Sequence, residues 1–252
     1  FNFLANNTTG SSNTDGDVTS TVSVNTTAGF SIVKWDSTGT AGINIGHGLG
    51  QKPAMIIAKC LNQSSTSWPV YHQSLGATKY VSLQATTAAA TSATRWNNSE
   101  PTTTTFQTGS SGDIGGSDRT MIAYCFAEKT GYSKFGSYTG NDNADGTFVY
   151  TGFKPAFVMI KRTDTVNDWI MLDNKRNNYS LPTTQDNFNV VNSRLLANTS
   201  GAEAYTNLLD FVSNGFKMRA TYGGVNSANN FIYMAFAEAP LVGTNNIPAN
   251  AR

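Results

Sequence analysis

The chain has 252 residues, of which 13% are charged, and a net charge of +1. Soluble proteins average roughly a quarter charged residues, so this balanced surface offers no electrostatic footprint for nucleic acid or anionic lipid. With 39% hydrophobic and 11% aromatic residues there is material for folded cores, which excludes disorder throughout. No apolar run approaches the roughly 18–20 residues of a membrane span.

The opening Phe1-Asn2-Phe3-Leu4-Ala5 has the aromatic-x-Phe shape of Tyr124-Cys125-Phe126-Ala127-Glu128, and resembles Met234-Ala235-Phe236-Ala237-Glu238 as well. The first residue is Phe and no charged-then-apolar leader follows it, so the expectation is a mature product or a segment of something longer. Asn6 to Asp17 is rich in Asn, Thr, Ser and Gly, which is linker chemistry. Val18, Val22 and Val24 then alternate with Thr and Ser, a period of two that predicts an extra edge strand.

Beyond this point the chain repeats itself. Gly50-Gln51-Lys52-Pro53-Ala54 leads into Met55-Ile56-Ile57-Ala58-Lys59, and Gly152-Phe153-Lys154-Pro155-Ala156 leads into Phe157-Val158-Met159-Ile160-Lys161, 102 positions later. Gly29 and Gly131 have the same spacing; Trp68 and Trp169 lie 101 apart, and Phe106/Phe216 and Phe126/Phe236 lie 110 apart. Leu83–Thr87 aligns with Leu195–Thr199 at a spacing of 112. Anchors in one order with small drifts between them are the mark of a duplication. Each copy is about the length of one β-sandwich, roughly 100 residues, and holds short β-rich runs separated by Gly, Asn, Ser and Thr. No stretch has sustained helical periodicity.

The predicted fold is therefore all-β: two tandem antiparallel β-sandwich, jelly-roll-like domains plus an N-terminal orphan strand. Residues 1–28 form the strand and linker, 29–129 and 130–240 the two repeats, and 241–252 a tail. A lone strand cannot bury its apolar face or pair its backbone. Either it was cut from a longer repeat array, or it completes a sheet in another molecule, or it is a loose or self-docked terminus. Phe1, Phe3 and Leu4 are the candidate assembly residues.

Chemistry-bearing residues are few. Cys60 and Cys125 aligned with Arg162 and Ala235 read as free, strand-borne thiols. His47 lies in Gly46-His47-Gly48-Leu49-Gly50, whose following strand is wrong for a phosphate cradle; His72 aligns with Asp173. Asn141-Asp142-Asn143-Ala144-Asp145-Gly146 imitates the start of a calcium loop, but its twelfth position is Gly152 rather than Glu, so ordinary turn chemistry is expected. Arg95-Trp96-Asn97-Asn98 sets an aromatic plane beside amides. Trp96, Asn97 and Asn98 are the speculative glycan contact, against the alternative that Trp96 belongs to a core. Asn6, Asn7, Asn25, Asn62, Asn97, Asn178 and Asn198 begin N-x-Ser/Thr triplets, acceptors for covalent glycans where the producer glycosylates. No catalytic residue, metal site or cofactor is expected.

Ser20–Val33, Gly46–Gly50, Tyr124–Glu128, Gly131–Gly140 and Gly152–Ala156 together resemble the tandem β-domains at the C-terminal ends of large phage and metagenomic virion or surface proteins. That family is mostly described as a domain of unknown function. The resemblance implies structural or adhesive work outside the cell or on a virion surface, and supplies no catalytic residues. Three functions follow as expectations. The first is a non-enzymatic fibre or appendage subunit whose partners are copies of itself. The second is a tail-fibre module recognising cell-surface glycans, and the third is a glycan-cleaving enzyme, for which no compelling carboxylate pair exists.

Overall fold

The computed structural model describes Ala5, residues 9–176 and residues 190–238. The orphan strand, apart from Ala5, and the tail 241–252 lie outside the described residues. The chain divides into two units after Lys129.

The first unit contains β1 (Ser11–Asn13), β2 (Ser20–Asn25), β3 (Phe30–Ser37), β4 (Ile43–Gly46), β5 (Met55–Cys60), β6 (Pro69–His72), β7 (Lys79–Ser82), β8 (Ala90–Thr91), a single helical turn α1 (Ala93–Trp96), β9 (Thr105–Thr108) and β10 (Arg119–Phe126). The second contains β11 (Ser133–Thr139), β12 (Phe148–Tyr150), β13 (Pro155–Arg162), β14 (Trp169–Asp173), β15 (Val190–Leu196), β16 (Ala204–Val212), β17 (Gly215–Met218) and β18 (Asn230–Ala237). All the strand-to-strand pairings are antiparallel. Among the described residues no helix is long and apolar enough to cross a membrane.

Strand order carries the duplication. The first unit pairs β1-β2-β3-β10-β5-β6-β7-β8, with β4-β9 as a separate ribbon; the second pairs β11-β18-β13-β14-β15-β16-β17-β12. Apart from the added β1 and β2, raising each strand number of the first by eight reproduces the second. The ribbon separates in the first unit because β8 has only two residues where β16 has nine. The turn α1 fills the space, its Thr94 and Arg95 carbonyls accepting from Ser111 and Gly109 N–H.

The expected division of each unit into two facing sheets is not written in this pairing, which runs on through eight strands in the second unit. Its core draws Val149, Val158, Ile170, Val191, Leu209, Phe216 and Phe231 from strands across the whole order. A sheet that presents all its strands to one core has to curl, and a nearly closed, barrel-like sheet is seen. The same packing contact recurs in both units. Trp35 meets Phe106 edge-on at 5.6 Å, and Tyr138 meets Phe216 edge-on at 6.2 Å.

The structure corrects three of the aligned registers. Pro69 pairs with Ser82 and Ile170 with Leu196, so Leu83 corresponds to Ala197 rather than Leu195. Phe126 faces Phe30, whereas Phe236 faces Ser133, which moves β11 one residue along. A one-residue slip exchanges the two faces of a strand, and this one keeps Trp35 and Tyr138 on the core side. The glycine of the turn before β5 also shifts: Gly48, rather than Gly50, corresponds to Gly152, each followed by a core residue, Leu49 or Phe153, with φ of 69° and 83°, a conformation side chains with Cβ rarely adopt.

The predicted strand is present as β2, paired with β3 from Thr21↔Lys34 to Asn25↔Phe30, but it is not an edge: its other side pairs with β1, from Ser11↔Val22 to Asn13↔Ser20, a strand within the stretch read as linker. Both cysteines are free and buried.

Candidate functional site

The histidines acquire their role from the repeat. His47 Nδ1 accepts the Leu49 N–H at 3.2 Å, and its counterpart Thr151 accepts the Phe153 N–H on Oγ1 at 3.4 Å. His72 Nδ1 accepts the Ser74 N–H at 3.2 Å, while the aligned Asp173 accepts the Lys175 N–H at 2.8 Å. Each is an acceptor that closes a turn two residues onward. Exchange of His for Thr or Asp preserves that bond, so the residue is held by turn geometry. Burial lowers the pKa of His47 to about 4, although a backbone bond to Thr102 and the charge of Asp15 both raise it.

The repeated lysines are similar. Lys59 Nζ donates to the Thr66 carbonyl and Oγ1, at 2.5 and 2.9 Å. Lys161 Nζ donates to the carbonyls of Arg162 and Asn167, at 2.9 and 2.8 Å. Both clamp the loop to the next strand. Burial lowers the Lys161 pKa to about 8.

The calcium-like loop is closed by its own amides. Asn141 Oδ1 accepts from Asn143 N–H, and Asn143 Oδ1 from Asp145 N–H. The fully buried Asn226 donates from Nδ2 to Asn141 Oδ1, the Asn143 carbonyl and the Ala220 carbonyl. Asp145 pairs with Lys217 at 2.8 Å. Turn chemistry accounts for this motif.

Trp96 is placed otherwise than a glycan platform requires. It is 1% exposed, inside the first core, edge-on to Tyr71 at 6.0 Å. Asn97 caps α1 with a left-handed φ of 51° and donates to Gln107 Oε1 at 2.9 Å. Asn98 stays exposed. The plane expected to stack on a sugar is thus closed off by the core. Phe1, Phe3 and Leu4 lie outside the described residues.

A different aromatic surface is open. Lys59, Cys60, Leu61, Asn62, Gln63, Ser64, Trp68, Ile122 and Tyr124 line a shallow groove of about 540 Å³ on the first unit. Its floor comes from β5 and β10, where Lys59 pairs with Ile122 and Ile57 with Tyr124. The Lys59 ammonium sits 5.7 Å from the Trp68 ring centre, a contact that orients the indole. Trp68 N–H is held by Gln84 Oε1 at 2.8 Å, and Asn62 ties the loop down through the Asp118 carbonyl and Thr120 N–H. Leu61 is 53% exposed. The lining provides stacking faces and neutral polar groups, and contains no carboxylate.

The second unit closes the same surface. The counterparts Lys161, Trp169, Ile232 and Met234 are all buried, at 3% exposure or less. The sequence shows Trp68 and Trp169 as equals, and nothing local to either distinguishes the open one from the closed one.

The fold and the groove define a duplicated antiparallel β protein with a shallow aromatic surface on its first copy. The chain belongs to the family described as a domain of unknown function, DUF7483, whose model matches residues 1–240. Comparison with curated proteins and with solved structures found no match.

Proposed function

We propose that the chain is a non-enzymatic structural subunit of an extracellular fibre or virion appendage. In this reading each unit is a sandwich formed by opposite halves of its curled sheet. Copies join head to tail through Phe1, Phe3 and Leu4, which dock in a neighbour. What supports the reading is the interchange of titratable side chains between copies. His47 stands for Thr151 and His72 for Asp173 in the same turn-closing bonds, the behaviour of a scaffold rather than of a reaction centre. The terminal strand rests on the sequence echo with Tyr124–Glu128. Deleting residues 1–7 is expected to leave folded but unpolymerised protein, seen by electron microscopy and sedimentation. Normal assembly of that truncation would remove the terminal strand from the reading.

The groove favours a second reading, recognition of a neutral cell-surface glycan, because Trp68 and Tyr124 stand beside Gln63 and Ser64. Aromatic faces stack on sugar rings while amides and hydroxyls meet their hydroxyl groups. Titration of host polysaccharide is expected to perturb Trp68 fluorescence, and Trp68→Ala to weaken binding by about tenfold or more, the loss of one stacking contact of about 1–2 kcal/mol. Equal binding by the variant would exclude this groove.

A further inference from the structure

The two copies treat one sheet edge differently. β4 and β12 correspond, since Ile45 pairs with Phe106 and Val149 with Phe216. In the first unit the outer edge of β4 is covered by the arm that precedes β2. Asp17 N–H donates to the Asn44 carbonyl at 2.9 Å, Asn44 N–H donates to Asp17 Oδ2 at 2.7 Å, and Ser20 Oγ donates to the Gly46 carbonyl at 2.8 Å. Val18 bridges Ile45 alongside. Among the described residues the second unit has no such arm; only Ala127–Tyr132 separates β10 from β11.

β12 is accordingly the last strand of its sheet. Thr147 and Thr151 bond inward to Met218 and Asn214. Alternation along an antiparallel strand then directs the N–H and C=O of Phe148 and Tyr150 outward, where no described residue meets them. Their side chains are 45% and 65% exposed, while Val149 between them is buried. Apart from its shortness, three residues, the edge carries no lysine, proline or bulge as a guard. Nor is it shaped for an arm of that kind. Gly46 leaves room for Asn13, whose Oδ1 lies 1.7 Å from where a Cβ would stand, and Tyr150 occupies the corresponding position. Asn44 and Gly46 have become Phe148 and Tyr150, so a polar, self-covered edge has become an aromatic, open one.

We propose that β12 is a contact between two copies of this chain, paired edge to edge about a two-fold axis at Val149. That register is self-complementary. Phe148 of each copy faces Tyr150 of the other, and the outward groups of each facing pair exchange both backbone hydrogen bonds. The two aromatic pairs lie on the exposed face. So short a strand makes a weak contact alone, and it is strengthened where copies are already held together. The inference goes beyond the head-to-tail reading and uses none of its residues.

The test uses the full chain in sedimentation equilibrium with Tyr150→Lys, and disulfide trapping with a mixture of Phe148→Cys and Tyr150→Cys chains. Reversible association weakened at least about tenfold by the lysine is expected, since it removes two cross-strand aromatic pairs and places charge on the edge. Thermal unfolding should be unchanged at so exposed a position. The mixed cysteine chains should cross-link faster than either alone, because position 148 opposes 150 and not itself. Association indifferent to Tyr150→Lys, trapping without that preference, or a chain monomeric at millimolar concentration would overturn the proposal. Deletion of residues 1–7 should leave this contact intact, which separates its failure from that of the head-to-tail contact.

Discussion

Replacing Gly136 by valine is expected to destabilise the second unit by about 1–3 kcal/mol, the usual cost of overpacking a filled core. The local backbone suits valine, since Gly136 lies within β11 and has no left-handed φ. The obstacle is Tyr233, directly across the strand pair. A Cβ on Gly136 would stand 2.7 Å from the Tyr233 hydroxyl oxygen and 2.9 Å from two ring carbons. The ring has little freedom to retreat, because it is 4% exposed and meets Phe216 edge-on at 5.3 Å.

The first unit holds the complementary solution. There Val33 faces Ala123 at the corresponding positions, both fully buried. A large residue on β11's neighbour has been balanced by a small one on β11. Tyr233→Ala alone should cost about 3–5 kcal/mol through the cavity it leaves. The double change, Gly136→Val with Tyr233→Ala, recreates the first unit's pair. It should cost less than the sum of the singles by about 1–2 kcal/mol, as coupled neighbours do. Hydrogen exchange resolved by unit measures this, with Trp169 fluorescence as a second reporter of the second unit. Additive losses would show that the two positions do not compensate.

Acid is expected to loosen the first unit by up to about 3 kcal/mol between pH 6.5 and about 4, through His47. Below pH 6.5 the unfolded chain binds a proton on this imidazole while the folded chain does not, so stability falls with pH. The loss is complete near pH 4, where the folded form protonates as well. Structurally, protonation of Nδ1 ends its acceptance of the Leu49 N–H and places a charge in the interior. His47→Thr copies the residue used at position 151. It should be less stable at neutral pH but should lose this component of the acid dependence, leaving the carboxylate component. Denaturant titrations at pH 7 and 4.5 distinguish the outcomes; parallel curves for the two proteins would rule out His47 as the source.

Repetition was legible along the chain because apolar runs and glycines recur at positions where the backbone needs them. Gly48 and Gly152 are the same left-handed turn, and Met55–Lys59 and Phe157–Lys161 are central strands apolar on both faces. The strand β2 was legible through its period of two, but not its place between β1 and β3, because the short polar β1 reads as linker. The speculative sugar contact was not: an Arg-Trp-Asn-Asn run reads alike whether its indole points outward or, as Trp96 does, into the core. The open aromatic surface formed instead around Trp68, whose partners Ile122 and Tyr124 come from the far end of the same unit.

Order along the chain was enough to establish β class, duplication and the turns, since those depend on residues a few places apart. Strand order, the curl of each sheet, the arm over β4 and the bare edge at β12 depend on backbone groups far apart in sequence. Their pairing is settled only when the whole unit closes. The unlike fates of Trp68 and Trp169, or of Asn44 and Phe148, have that same origin: equal local sequence meets unequal surroundings, and burial is a property of the surroundings.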